Sequence, residues 1–406
     1  MTATVPARVP AAAPARSGTH RALNALRTVA AVLVVVYHLR TLLFADRAAA
    51  GGGAGTDVLY AVTNLGPAAV LVFFVLSGYW VGGSVLAAFR QERFRWAGYA
   101  TARLSRLWIV LVPAVALTAV LDHLGLALLG HTSIYGGDPA YHRTVPAGDL
   151  AERLDPLTAL GNVGFLQTIA VPTYGTNASL WSLAYEAAFY AIFPLALYAW
   201  KGRGGTPARI LNAVLLLAVC ALAGPAVLMY LPVWLMGAGV ALFRPAISAR
   251  LARLRPLALT SARTLAAIAL AAAMAATQAA YSNRNVLLLA AATTVLLILL
   301  VEDVRWTGLP GRVLDGLSRY AESSYSLYAV HLPIAALIAA LLAPQAAHRW
   351  EPTPAHWLAL TALTAALIGA GWLFAWATER HTARLRALLD AVLRSVTRHA
   401  PARPSE

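Results

Sequence analysis

The chain has 406 residues, 59% of them hydrophobic and only 12% charged, about half the charged fraction of a soluble domain. This excludes a soluble globular protein and predicts an all-α integral membrane protein embedded in a lipid bilayer. The net charge of +15 lies in short basic tracts between apolar runs, which is a topology signal and excludes a nucleic-acid partner.

Residues 1–19, rich in Ala, Pro and Arg, read as a disordered tail. Ten apolar runs follow, each long enough to span a membrane or nearly so, at 22–44, 64–88, 99–121, 180–200, 209–224, 226–243, 263–281, 286–302, 321–343 and 355–378. The first is too long for a signal peptide and carries Arg27, His38 and Arg40. Only Gly224-Pro225 divides the fifth from the sixth, and the single cysteine, Cys220, sits in the fifth, which excludes an intrachain disulfide. Alternating the ends puts 26 of the 32 basic residues on one side and leaves Arg40, Arg47, Arg143, Arg153, Arg284 and Arg349 on the other. The positive-inside rule then makes both termini cytoplasmic in a multi-pass protein of the plasma membrane. The one long loop, 122–179, is external. Its DPLTALGNVGFLQTIAV segment lies along the membrane or dips into it.

Within the first run His38 follows Arg27 by eleven residues. At about 100° each that is three turns, so both side chains share a face and the histidine lies about 16 Å deeper. An ionisable side chain at that depth is a candidate functional group; a histidine satisfied by a neighbouring helix is the competing reading. In the second run, LVFFVLSGYW contains Ser77 and Gly78, which suit close helix approach, and no G-x-S-x-G elbow surrounds the serine. Arg103 and Arg106 share a face at the start of the third run and, with Arg27, suit a polyphosphate cradle; for the pair taken alone, ordinary topology arginines at a helix end is the favoured reading. The fourth run opens NASLWSLAYEAAFY, placing Glu186 about two turns below the outer end in apolar surroundings. A carboxylate there needs a partner, and His38 is the candidate: the pair would fix the imidazole tautomer and raise its basicity. The ninth run, SSYSLYAVHLP, adds Tyr325, Ser326, Tyr328 and His331; a core histidine before Pro333 is the favoured reading of His331. No metal-ligand spacing, Walker A lysine motif or dinucleotide glycine fingerprint occurs, so no metal or permanently bound cofactor is expected.

Taken in order, these pieces resemble the acyltransferase family 3 membrane proteins over about residues 22 to 378. They are Arg27 separated by ten residues from His38, FFVLSGYW, the R-x-x-R of Arg103 and Arg106, WSLAYE and SYSLYAVHLP. The resemblance implies a transmembrane acyltransferase domain over 20–380, followed by a basic cytoplasmic tail over 381–406 in place of the SGNH hydrolase-like domain that some members fuse at their C-terminus. It implies acyl-CoA, most often acetyl-CoA, as a cytoplasmic donor substrate, and O-acylation of a hydroxyl-bearing acceptor, a glycan or another small molecule. His38 is then the essential catalytic residue, as base or acyl carrier, with Arg27, Arg103 and Arg106 assisting donor binding. The residue reading adds Glu186 as its catalytic partner and Ser77, Trp181, Ser182, Tyr325, Ser326 and His331 as supporting groups. Where the family usually carries LDGLR, this chain has Leu23-Asn24-Ala25-Leu26-Arg27, so Arg27 lacks that aspartate. A proton-coupled secondary transporter using His38, Glu186 and His331 as a relay is the alternative; against it, the chain shows no repeat halves.

Overall fold

The computed structural model describes residues 18–202, 204–302 and 308–398, and these are helical with no strand beyond two isolated bridges. Ten of the helical stretches are long and apolar enough to cross a membrane, as a chain that must satisfy its backbone internally in lipid requires.

Helix α1 (Gly18–Leu43) is one uninterrupted rod. A short helix α2 (Ala54–Thr63) precedes α3 (Gly66–Ser77), which continues through a π-helical turn at Gly78–Gly82 into α4 (Gly83–Arg90). Helix α5 (Trp96–Leu129) runs two turns beyond its expected end, shortening the long loop from that side. That loop holds the short helix α6 (Pro156–Val163), whose N-terminal amides at Leu157 and Thr158 donate to the Asp155 carboxylate at 2.8 and 3.0 Å. Helix α7 (Trp181–Lys201) follows. The next pair is α8 (Gly205–Leu228) and α9 (Leu231–Leu251). Gly224, with φ +74° and ψ 173°, interrupts the helix at the expected Gly224-Pro225 break, and a further helical turn runs to Leu228 before Met229 and Tyr230 lead into α9. Then come α10 (Pro256–Ala279), α11 (Asn283–Leu300), α12 (Gly308–Tyr320), α13 (Ser324–Leu342), α14 (Pro354–Thr378) and α15 (Thr382–Arg398). The amphipathic α15 packs on α5. The expected tail at 1–19 falls almost wholly outside the described residues.

Burial separates centre from periphery. The apolar window of the α12–α13 stretch is 67% buried inside the protein and that of α1 56%, against 17% for α8 and for α10. Helix α1 packs on α3, α12, α13 and α14 together. Chemistry-bearing side chains on α1 and α13 are therefore walled by protein, while α8 and α10 face outward with leucines such as Leu217 and Leu265 exposed.

Between α6 and α7 the chain is largely irregular yet packed inward. Asn162, Gln167, Thr176 and Asn177 are fully buried. Asn162 Nδ2 donates to the Thr158 and Pro172 carbonyls, Gln167 Nε2 to the Leu180 carbonyl, and Asn177 Nδ2 to the Ala329 carbonyl. The buried Asp122 carboxylate accepts both the Thr176 amide at 2.7 Å and its hydroxyl at 2.9 Å. Irregular backbone among spanning helices survives only when protein satisfies it in this way. The segment dips into the bundle, and α7 begins beneath it.

Candidate active site

Between α1, α3, α5, α7 and α13 lies a cavity of about 450 Å³, the feature around which the predicted residues gather. Its lining brings together Arg27, Ser77, Arg103, Arg106, Ser182, Glu186 and Tyr325, contributed by five helices. His38, His331, Trp181 and Ser326 do not line it. Trp181 packs at the side of the bundle against Tyr185 and Tyr230. Buried Ser326 donates to Glu379 Oε1 at 2.6 Å.

The three arginines differ in how the protein holds them. Arg103 Nη2 donates to Ser84 Oγ at 3.0 Å, and its guanidinium sits over the rings of Tyr99 and Tyr190 at 5.5 and 5.8 Å. Its Nε is buried without a hydrogen-bond partner. Arg27 lies 6.0 Å from the Trp80 ring centroid, and neither Arg27 nor Arg106 makes a hydrogen bond or ion pair among the described residues. The guanidinium groups of Arg27, Arg103 and Arg106 face a cavity walled by Val70, Phe73, Phe74 and Leu107, and those of Arg27 and Arg106 have donors to spare among the described residues.

Glu186 is the one carboxylate in that lining. Its Oε1 accepts from Ser77 Oγ at 2.6 Å and from the Tyr190 hydroxyl in a very short bond. Trp234 Nε1 donates to Ser77 Oγ at 3.2 Å. The expected pairing of Glu186 with His38 does not form. Tyr190 is four residues along α7 and meets Glu186 on the same face, while α7 packs chiefly on α8 and reaches α3 at Ser77. Tyr190 was legible from that spacing. Trp80 lies inside the quoted FFVLSGYW motif, whereas Trp234 and Glu379 carry no local signal because only tertiary packing delivers them.

Close backbone approach sets this arrangement. A Cβ on Gly78 would stand 1.9 Å from the Trp234 carbonyl oxygen, and one on Gly237 would stand 1.8 Å from that of Val75. Only glycines let the π-helical turn and α9 meet there, which brings the Trp234 indole onto Ser77.

His38 is paired instead with His331. His38 Nδ1 and His331 Nε2 are 2.7 Å apart, the ring centroids 5.0 Å and the planes 17° apart. These values together describe an edge-to-edge bond running along the line between nearly coplanar rings. The pair adjoins the cavity across one aromatic side chain. Tyr328 lines the cavity, lies 5.9 Å ring to ring from His331, donates its hydroxyl proton to the Ser179 carbonyl and accepts from Ser182 Oγ at 2.8 Å. Along the regular helix α1 the histidine sits about 16 Å beyond Arg27. Among the described residues no group of three His, Cys, Asp or Glu side chains is placed to hold a metal ion.

The helical membrane domain thus holds a cavity lined by three arginines, with an imidazole a few turns beyond Arg27 on the same helix. Residues 20–376 match the family model described as an acyltransferase domain, and the chain belongs to acyltransferase family 3. It is an enzyme, a membrane acyltransferase. No curated protein and no solved structure matches the chain.

Proposed function

We propose that the enzyme transfers an acyl group, acetyl in the simplest case, from cytoplasmic acyl-CoA to a hydroxyl of a glycan or other small molecule at the plasma membrane. The observation that carries this reading is the cavity with unpartnered Arg27 and Arg106 beside Arg103. Coenzyme A is a polyphosphate on a thin flexible arm. The arginines take its phosphates at the basic mouth, and the arm extends along α1 toward the imidazole of His38, about 16 Å further in.

The acceptor hydroxyl gives its proton to His38 as its oxygen bonds to the thioester carbonyl carbon. The tetrahedral adduct expels the thiolate, and the proton on His38 passes to that sulfur, leaving an ester and free coenzyme A. Glu186, held by Ser77 and Tyr190, fixes the wall on which Arg103 rests rather than acting on the histidine. No metal and no resident cofactor enters this scheme.

Purified protein in lipid nanodiscs, given acetyl-CoA and an excess of methyl glycosides, should release free thiol in step with formation of O-acetyl ester. Binding or translocation without thiol release would overturn the reading in favour of transport.

A further inference from the structure

The hydrogen bonds around His331 fix more than its own position. Its Nδ1 lies 2.9 Å from the Tyr328 carbonyl oxygen and 3.1 Å from that of Leu327. Carbonyl oxygens only accept, so Nδ1 carries the proton and donates. In a neutral ring the Nε2 of His331 is then a bare lone pair. Because that nitrogen is 2.7 Å from His38 Nδ1, the proton between the rings belongs to His38. The Nδ1 of His38 is thus the donor, and its Nε2 carries the lone pair. That Nε2 makes no hydrogen bond among the described residues, and His38 is half-buried where His331 is fully buried.

We infer that His331 is the positioning residue of the catalytic base: through its Nε2 it holds His38 in the tautomer and orientation that present a free Nε2 lone pair to the acceptor hydroxyl. This rests on the acyl-transfer reading above and replaces the expectation that His331 is merely a satisfied core histidine. In most such arrangements a carboxylate orients the base; here the orienting group is a neutral imidazole, itself aligned by backbone carbonyls. The turn that supplies those carbonyls runs from Leu327 to His331 on α13, just ahead of Pro333. As His38 takes the acceptor's proton on Nε2 it becomes imidazolium. Its Nδ1 proton stays in the bond to His331, and the Nε2 proton leaves with the thiolate sulfur, so His331 neither gains nor loses a proton over the cycle.

The test compares His331→Leu, His331→Gln, His38→Ala and the His38→Ala/His331→Leu double variant in nanodiscs. The probes are acetyl-CoA and methyl glycosides, with thermal melting of each sample. Loss of an orienting partner of this kind typically costs about 10- to 100-fold in activity. His331→Leu should therefore lose that much kcat while its KM for acetyl-CoA stays within about two-fold. His331→Gln, whose amide oxygen can accept the His38 Nδ1 proton, should recover most of the loss. The double variant should be no slower than His38→Ala, because the two rings act as a unit. A His331→Leu enzyme with unchanged kcat, beside an inactive His38→Ala, would overturn the inference alone. So would a kcat loss that tracks a fall in melting temperature and is not restored by glutamine. Retained transfer in His38→Ala would overturn the acyl-transfer reading and this inference with it.

Discussion

Arg27 sits in the cavity lining with a tryptophan ring beside it and no hydrogen-bond acceptor among the described residues, and Arg106 is equally unpartnered. A guanidinium within a spanning helix costs about 2.5–3.5 kcal/mol at the helix centre, so a functional return is expected of such a side chain. Charge-assisted hydrogen bonds to phosphate contribute about 1.5–3 kcal/mol each. Arg27→Ala and Arg106→Ala should accordingly raise the KM for acetyl-CoA about ten-fold or more while leaving kcat at saturating donor much less changed. Dephospho-CoA thioesters should show a smaller difference between variant and parent. The same KM in both variants as in the parent would reduce these arginines to topology determinants.

Among the elements, the contact of the α3 π-helical turn with α9 is the most exacting. Gly237 lies so close to the Val75 carbonyl that one added methyl cannot be absorbed by a side-chain movement, because the neighbour is backbone. Gly237→Ala should destabilise the protein by about 1–3 kcal/mol, as overpacking does. By moving Trp234 off Ser77 it should also lower activity. Gly239→Ala, with nothing within 4 Å of its new Cβ, is the control and should melt as the parent does. Equal melting of the two would contradict the packing described for this contact. Little of this was readable in the sequence. Ser77-Gly78 advertised close approach, but its partner lies about 160 residues away and no local pattern names it. The ten spans were legible because hydropathy is a local property. The break in α8 was legible too, in Gly224-Pro225, but the buried segment 162–180 was not, since a loop's partners are decided by tertiary packing. For the same reason a carboxylate such as Glu186 inside an apolar run is legible as a costly residue that needs a partner, yet its assignment to Ser77 and Tyr190 rather than to His38 needs three dimensions.

For the whole molecule, the division of labour requires a direction: polyphosphate held on one side, imidazole deeper in. The proposed topology puts 26 of the 32 basic residues on the Arg27 side, and the positive-inside rule would make that side cytoplasmic. On a Cys220→Ser background, a cysteine at exposed Gln91 should react with an impermeant maleimide only from the cytoplasmic side, and one at exposed Ala147 only from outside. The reverse pattern would put the arginine mouth on the side that lacks acyl-CoA.

His38 is the centre of the proposed mechanism. If its imidazole is the base proposed above, replacing it should cost about 10²- to 10⁴-fold in rate, while trading a polar burial for a small cavity, so the fold should persist. The decisive measurement is ester formation from acetyl-CoA by purified His38→Ala in nanodiscs, run beside thermal melting of the same preparation. Transfer reduced at least a hundred-fold in a protein that melts near the parent temperature is the predicted result. Near-normal transfer by a well-folded His38→Ala enzyme would contradict the account at its centre.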